Sequence, residues 1–504
     1  MRNYLVCLMI MLCLFCTHVI AETDGLYTYQ INEDNTVTIT GFNWKNNHGD
    51  IYIPEMLGNR IVSSIGEKAF ATKGNTAVKI TLPDGIRSIG PQAFRGVSIT
   101  YVNIPINTVE IGGGAFAQCS VMRFNVANGH TVFATIDNSL YNKQTKTLLA
   151  WPENKDISAI PNGIIHIGDY AFYGRSFSTS NKKTENLFSF STSNKKELYT
   201  LPATIETIGE YAFARVTGLS LSASGVKTIG AHAFDEAELE LQSNSVSVIG
   251  DYAFYKAIVE FKSTLSLSKI GKHAFQNSEF VIYESERNEN LLSKTPYEIG
   301  EFAFSHSRGS ILSRVNLVLK NVTSIGARAF DGITQDADLA LRLNEGDLEN
   351  LTYLGENAFY DTNVANWGND EIGYHSYVDL TNPSMTSVPK GAFYYTWITD
   401  LKIGPTVSEI GEGAFERCEN LQKVELTDGL LTINDKAFKG CKKLTAISIP
   451  ASVTMMGNDI FTGCADTFVV TVEAGSYGEL WARTCGYSYI VNGQVEDTSW
   501  LLDE

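Results

Sequence analysis

Leu444-Thr-Ala-Ile-Ser-Ile449-Pro450, followed by Val453-Thr-Met-Met456-Gly457 and Ile460-Phe461, is one copy of a unit that recurs along this chain. The preceding copy runs Leu421-Gln-Lys-Val-Glu-Leu426, then Gly429-Leu-Leu-Thr-Ile433, then Ala437-Phe438. Phenylalanines mark the copies at Phe70, Phe94, Phe116, Phe172, Phe213, Phe234, Phe254, Phe275, Phe304, Phe330, Phe359, Phe393, Phe415, Phe438 and Phe461. More than half of the gaps are 20–24 residues, and the widest, 56 and 41, precede Phe172 and Phe213. A period of this length, stretched by insertions, is the mark of a solenoid with one coil per repeat. Such a chain offers a long surface before it offers a pocket, so binding is weighed ahead of catalysis.

In Val424-Glu425-Leu426 apolar residues alternate with a polar one, the periodicity of a strand with one buried face. Pro450 has no N–H to give a neighbouring ladder and ends the strand, as do Pro54, Pro83, Pro105, Pro161 and Pro202 in their copies. An apolar pair such as Val109 and Ile111 then turns the chain inward, and Gly112 stands where a side chain would crowd the bend. The Ala-Phe pair is expected on a short helical turn on the outer side, each Phe lying on the next as an aromatic spine. A coil this short cannot bury its apolar side alone, so the core forms between coils. The expected fold is a repeat solenoid with a parallel β-sheet on one face, short helical turns or strands on the other, and caps at both ends.

Ile99-Thr-Tyr-Val-Asn-Ile104-Pro105, Val109-Glu-Ile-Gly112 and Ala115-Phe116-Ala-Gln-Cys119 resemble the leucine-rich repeats of the BspA-like family. That pattern reads Leu-x-x-Ile-x-Leu-Pro, then Val-x-x-Ile-Gly-x-x-Ala-Phe, often with Cys three residues later. Residues 401–464 match it equally well, and the resemblance spans roughly residues 51–464. It weakens in the middle: Leu219-Ser-Leu221 and Leu239-Glu-Leu241 lack the proline, and Val388-Pro389 replaces Ile-Gly. The central coils are therefore expected to be less regular or differently curved. The resemblance implies a leucine-rich-repeat fold, extracellular or cell-surface location and protein–protein adhesion. Some relatives bind host matrix proteins such as fibronectin and fibrinogen, although fold is inherited more safely than ligand.

Residues 1–21 read as a signal peptide, with Arg2, an apolar core from Leu5 to Phe15, and Val19-Ile-Ala21 before cleavage at Glu22. The apolar run is shorter than the roughly 20 residues of a membrane span. No later stretch is long enough, so no span is expected in the mature chain. Lipidation at Cys16 is disfavoured by the bulky Leu14 and Phe15 before it. The net charge of −17 becomes −18 once Arg2 leaves (−17 − 1), which excludes nucleic acid as a partner and makes anionic membranes poor ones. Cys119, Cys418, Cys441 and Cys464 each follow a repeat Phe by three residues, where other copies hold Val216, Ala237, Ala257 or Thr362. The slot reads as small and fairly apolar, with Cys filling it as a buried hydrophobe; a disulfide between stacked coils is the alternative. Cys485 stands apart.

Residues 22–50 are assigned to an N-terminal β-hairpin cap, built on Tyr27-Thr-Tyr-Gln-Ile31 and Thr36-Val-Thr-Ile39. The solenoid occupies residues 51–465 in about 15 coils, with insertions near 125–160 and 176–197. In the first insertion, Asn138-Ser-Leu-Tyr141 and Thr147-Leu-Leu-Ala-Trp151 suggest a hairpin. The second holds Phe177-Ser-Thr-Ser-Asn-Lys-Lys183, repeated at residues 190–196, and reads as a surface loop. Residues 466–504 form the C-terminal cap: a strand over 468–472, a capping box Ser476-Tyr-Gly-Glu479 opening a helix through Trp481, and a strand over 487–491.

No zinc, nucleophile-elbow or phosphate-loop motif is present. Asp336-Ala-Asp338 only faintly suggests a calcium loop, with Leu339-Ala-Leu341 after it reading as a strand. His232 and His273, two residues before a repeat Phe, stand where Tyr170, Tyr211 and Tyr252 occur and read as repeat-surface residues. No catalytic, cofactor-binding or metal residue is assigned, and an enzyme is not expected. The candidate partner site is the parallel-strand face, with Tyr101, Asn103, Asp400, Lys402, Lys423 and Glu425 pointing outward. The function expected is a secreted or cell-surface binding protein, an adhesin for host or neighbouring-cell proteins. Its partner would be an extracellular protein of matrix or cell surface. A glycan-binding or nutrient-capture surface protein and a self-assembling structural component are the alternatives.

Overall fold

A computed structural model describes residues 21–46, 49–72, 77–119, 121, 123–152, 159–177, 197–262, 265–281, 296–309, 315–333, 339–343, 347–362, 376–491 and 494–495. The chain divides into two compact units, Met1–Tyr173 and Gly174–Glu504. Both are parallel β-solenoids in which a typical coil gives a strand to one sheet, a shorter strand, mostly of two residues, to a second sheet, and a turn carrying the repeat Phe.

In the first unit, Ile51–Tyr52, Ala77–Thr81, Ser98–Ile104 and Arg123–Val126 pair in parallel as the first sheet. Val37–Phe42, Arg60–Ile65, Ser88–Ile89 and Glu110–Ile111 make the second. Tyr27–Ile31 joins Val37–Phe42 antiparallel, and Glu22–Asp24 joins Tyr27–Ile31 in the same way. In the 125–160 region, Ser139–Asn142 and Thr147–Ala150 pair as an antiparallel hairpin, and the latter strand pairs in parallel with His166–Ile167.

In the second unit, the first sheet begins with Leu198–Thr200, Leu219–Ser222, Glu238–Gln242, Ile258–Phe261, Glu279–Val281 and Arg308–Gly309. Val315–Val318 pairs with Leu339–Arg342, and Tyr377–Leu380, Asp400–Ile403 and Lys423–Glu425 form a later stretch. At the far end Ala446–Ser448, Val469–Val472 and Tyr489–Val491 are in parallel order. The helix Tyr477–Cys485 precedes the last of these and runs four residues beyond Trp481. Ser476 accepts from the Glu479 N–H at 3.2 Å, Glu479 accepts from the Gly475 N–H, and Gly486 ends the helix in the left-handed region.

The strands alternate as the hydrophobic pattern requires. Leu401 and Ile403 are buried while Asp400 and Lys402 lie on the other face of the same strand. The spine phenylalanines point inward: in the second unit rings from Phe213 to Phe461 stack at centroid distances of 4.9–5.8 Å, with planes within 16°. Phe70, Phe94 and Phe116 also stack in the first unit, at 5.1 and 5.6 Å with planes 25° and 8° apart. The coils from Phe213 to Phe275, which include two that lack the proline, are regular, whereas among the described residues the first sheet is interrupted after Arg308–Gly309. Phe213, Phe234, Phe254 and Phe275 stack within 9°, and Leu219, Leu239 and Val259 stay in register. Loss of the proline changes how a strand ends, not which face it buries.

The Ala-Phe segment differs from the helical turn expected of it. Residues two before and two after the Phe lie at positive φ, for example His232 (54°) and Glu236 (53°) around Phe234. Left-handed residues break a right-handed helix. The spine Phe N–H instead donates to the next coil, as Phe234 does to the Ala253 carbonyl at 2.7 Å and Phe415 to the Ala437 carbonyl at 2.8 Å. The opposite face is thus made mostly of two-residue strands followed by a hydrogen-bonded turn.

The slot three residues after Phe also needs correction. It is small, but in many coils it supplies a hydrogen-bond donor to the Phe carbonyl of the preceding coil. Ser278 donates to Phe254 at 2.6 Å, Ser307 to Phe275 at 2.6 Å, Thr362 to Phe330 at 2.7 Å and Thr396 to Phe359 at 3.0 Å. Cys119, Cys418 and Cys441 donate their thiols in the same way at 2.9, 3.0 and 3.3 Å, and all are free. A buried carbonyl left without a donor is costly, so Ser, Thr and Cys serve alike.

Burial pushes the Cys119 and Cys418 thiols up to about 12 and the Cys464 thiol to about 11. The thiolate is the reactive species, and at pH 8 a thiol of pKa about 12 is ionised about once in ten thousand. Iodoacetamide on the native protein should therefore label exposed Cys485 first and leave Cys119, Cys418 and Cys441 unreacted until denaturant is added. Because these pKa values are raised on folding, the contribution is complete below about pH 9 and is lost as pH climbs towards the folded values. Rapid native labelling of Cys418 would contradict the slot assignment.

The signal-peptide reading (all but residue 21), the duplicated segment after Phe177, and Asp336 and Asp338 lie outside the described residues. Leu339–Arg342 is a strand, as its alternation suggested.

Candidate functional site

The two units carry different strand faces. In the first, Tyr101 lies beside Arg123 and Asn103 beside Asn125 on adjacent strands. The Asn125 amide donates to the Asn103 Oδ1 at 2.9 Å. A bulge between Val78 and Ile80 brings Lys79 opposite the Thr100–Tyr101 step, and Lys79 is exposed. Tyr52, 63% exposed, lies on the neighbouring strand. Lys79 and Arg123 are the only charged residues in the four strands, and neither forms a salt bridge among the described residues.

In the second unit the candidate charges cancel in rows. Asp400 lies beside Lys423, and Lys402 sits between Asp379 and Glu425. Lys423 also pairs with Glu425 along its own strand; this hydrogen bond holds the Glu425 carboxyl below its usual range and raises the Lys423 amine. Thr399 donates to Asp400 at 2.6 Å. The four residues of this set are thus brought together, and Tyr101 and Asn103 belong to the other unit. Earlier in the same unit the strands are acidic: Glu240 faces Glu260 across adjacent strands and accepts from Ser220, Glu260 pairs with Lys262, and Glu279 with Arg308 at 2.8 Å.

A second surface feature, only partly anticipated from the shared offset of Tyr211, His232, Tyr252 and His273, is an aromatic column. Tyr211, His232, Tyr252, His273 and Phe302 stack face to face at 4.4, 4.8, 4.5 and 4.9 Å, within 12° of parallel. Each occupies the left-handed position two before a spine Phe, which throws its side chain outward. His232 Nδ1 lies 2.9 Å from Asp235 Oδ2, and His273 Nδ1 lies 2.8 Å from Gln276 Oε1. Burial raises the Asp235 carboxyl, against the opposing pull of His232. An aromatic or His at one offset in five successive copies was the available signal. The internal rings spend both faces on each other, so the column presents edges rather than the open faces on which a sugar would stack.

Among the described residues, no three His, Cys, Asp or Glu converge as a metal site, and no helix is long and apolar enough to cross a membrane. A model of the BspA type leucine rich repeat region, six copies long, matches residues 63–181, 153–256, 183–293, 247–369 and 378–475, well over half the chain. The chain belongs to the BspA-type leucine-rich repeat family. Solved structures similar to this BspA-type protein include a leucine-rich repeat protein from Bacteroides ovatus ATCC 8483, 18% identical, covering 93% of this chain and 99% of its own, with a TM-score of 0.39. A leucine rich cell surface protein from Faecalibacterium prausnitzii A2-165 is 17% identical over 96% and 97% of the two chains, with a TM-score of 0.26. The pneumococcal vaccine antigen PcpA is 13% identical over 95% and 99%, with a TM-score of 0.21. No curated protein matches the BspA-type chain in sequence.

Proposed function

We propose that this BspA-type repeat protein is a secreted or cell-surface adhesin that holds another extracellular protein on a parallel-strand face and performs no catalysis. The observation that carries this reading is the register of the outward residues. Inward side chains are consumed by the core, and outward ones from successive coils stand side by side, as Tyr101 with Arg123 and Asp400 with Lys423. A planar lattice mixing Tyr, Arg, Asn and Lys suits recognition of a broad protein surface, where Tyr and Arg act as anchors. Export rests on the leader-like residues 1–21.

The test is a binding screen of the purified protein at physiological salt against fibronectin, fibrinogen, other matrix proteins and a glycan array. Saturable binding to one protein, competed by the same protein in solution, is the expected result. Hits confined to glycans would replace the adhesin reading with glycan capture. Silence together with concentration-dependent association would replace it with self-assembly.

A further inference from the structure

The geometry points to the first unit's strand face as the docking surface for an extended, acidic segment of a protein partner, with carboxylates spaced three residues apart. This deepens the adhesin reading and rests on it. The chain as a whole is strongly acidic at −17, yet the only charged residues in these four strands are Lys79 and Arg123. Neither is spent on a salt bridge among the described residues, in contrast to Lys262, Arg308 and Lys423 on the second unit. Two cations without an ion pair among the described residues, on the face of an acidic protein, are a local complement to negative charge. One carboxylate does stand at the margin: Asp50 Oδ1 accepts the Lys79 backbone N–H at 2.9 Å.

The spacing narrows the chemistry. Lys79 and Arg123 are on strands either side of Ser98–Ile104, so their backbones are about 10 Å apart, two strand spacings of about 4.8 Å. In a peptide extended as polyproline II, with three residues per turn, residues three apart lie on the same side of the chain and are separated by about 9 Å. Carboxylates at that interval reach both cations while the chain between them crosses Tyr101. The amides of Asn103 and Asn125 lie alongside to bind peptide groups, and Tyr52 adds an exposed ring. Tyr, Asn and Arg together make a protein-reading surface more than a sugar-reading one.

The test uses the full purified protein and a labelled synthetic peptide with glutamate at every third position in a Ser/Thr background. A Gln-for-Glu version and chondroitin sulfate serve as comparison probes, and all are read by fluorescence anisotropy at low and physiological salt. The Glu peptide should bind, weaken as salt rises, and lose about tenfold in affinity on Lys79→Glu with Arg123→Glu. Tyr101→Ala should weaken binding without altering the salt slope. Lys68→Glu, a charge reversal on the turn side of the same unit, should leave affinity unchanged, and all variants should melt as the parent does. Equal binding of the Gln peptide, retained affinity in the double variant, or binding of chondroitin sulfate alone would each overturn the inference. A protein partner from the screen that binds the double variant undiminished would remove this site and leave the adhesin function standing.

Discussion

Phe415→Ala is expected to destabilise the second unit by about 3–5 kcal/mol, the range for truncating a fully buried Phe. The ring is 0% exposed and stacks on Phe393 at 5.4 Å and on Phe438 at 5.3 Å, tilted by 7° and 9°. Truncation leaves a cavity between rings that are held by backbone bonds on either side, since Phe393 N–H donates to Ala414 and Phe415 N–H to Ala437. Collapse is therefore restricted, which places the cost at the upper part of that range. Because coils are stabilised mainly through nearest-neighbour interfaces, Phe415→Ala combined with Phe438→Ala should cost less than the sum of the two single changes. Phe415→Ala combined with Phe234→Ala, at a distant coil, should be additive. Urea denaturation followed by circular dichroism measures all of these. A midpoint and slope indistinguishable from the parent for Phe415→Ala would rule out the spine as the source of cohesion.

How much of this was legible beforehand depended on whether a residue's role repeats with the chain or is created between coils. Ile-Gly and Ala-Phe recur at a fixed offset, so the strands, the bend and the inward ring could all be read from spacing. The donor slot after Phe was obscured because Cys, Ser and Thr share it with Val and Ala. Only the distance from Ser278 to the Phe254 carbonyl shows what unites the polar members. The left-handed residues were harder still: Tyr, His, Lys, Arg, Asn and Asp all occupy that position, and no residue type announces it. The strand-face residues show the same limit. Tyr101 and Asn103 were visible because their copy matches the repeat pattern closely. Arg123 and Lys79 were not, because coils of unequal length hide which residues become neighbours, and a bulge shifts Lys79 within its strand. Cross-coil register is a property of the folded stack.

That same close stacking makes Gly411→Ala the second large effect, expected to cost about 2–3 kcal/mol by overpacking. A Cβ at Gly411 would lie 2.6 Å from the Lys390 nitrogen, 2.7 Å from the Pro389 carbonyl carbon and 2.9 Å from the Val388 oxygen. All three are backbone atoms of the preceding coil, so no side-chain rotation relieves them. The conformation of Gly411 is an ordinary one, and Gly→Ala at an uncrowded site of that kind would stabilise by about 0.4–1 kcal/mol through the unfolded chain. The sign should be reversed here by proximity alone. One coil shows how the chain copes without glycine: Asn434 occupies the equivalent place, and its N–H reaches the Ile410 carbonyl at 3.0 Å where Gly411 and Gly457 make the same bond at 2.8 Å. Its side-chain amide donates to Glu409 at 2.7 Å and to the Ile410 carbonyl at 3.1 Å, which offsets the wider spacing. Alanine offers no such bonds. By contrast Gly413→Asn, two residues on, should be nearly neutral, because the left-handed position it occupies is held by Asn357 in an earlier coil. Equal denaturation midpoints for Gly411→Ala and Gly413→Asn would show that backbone approach is not what reserves the Ile-Gly position for glycine.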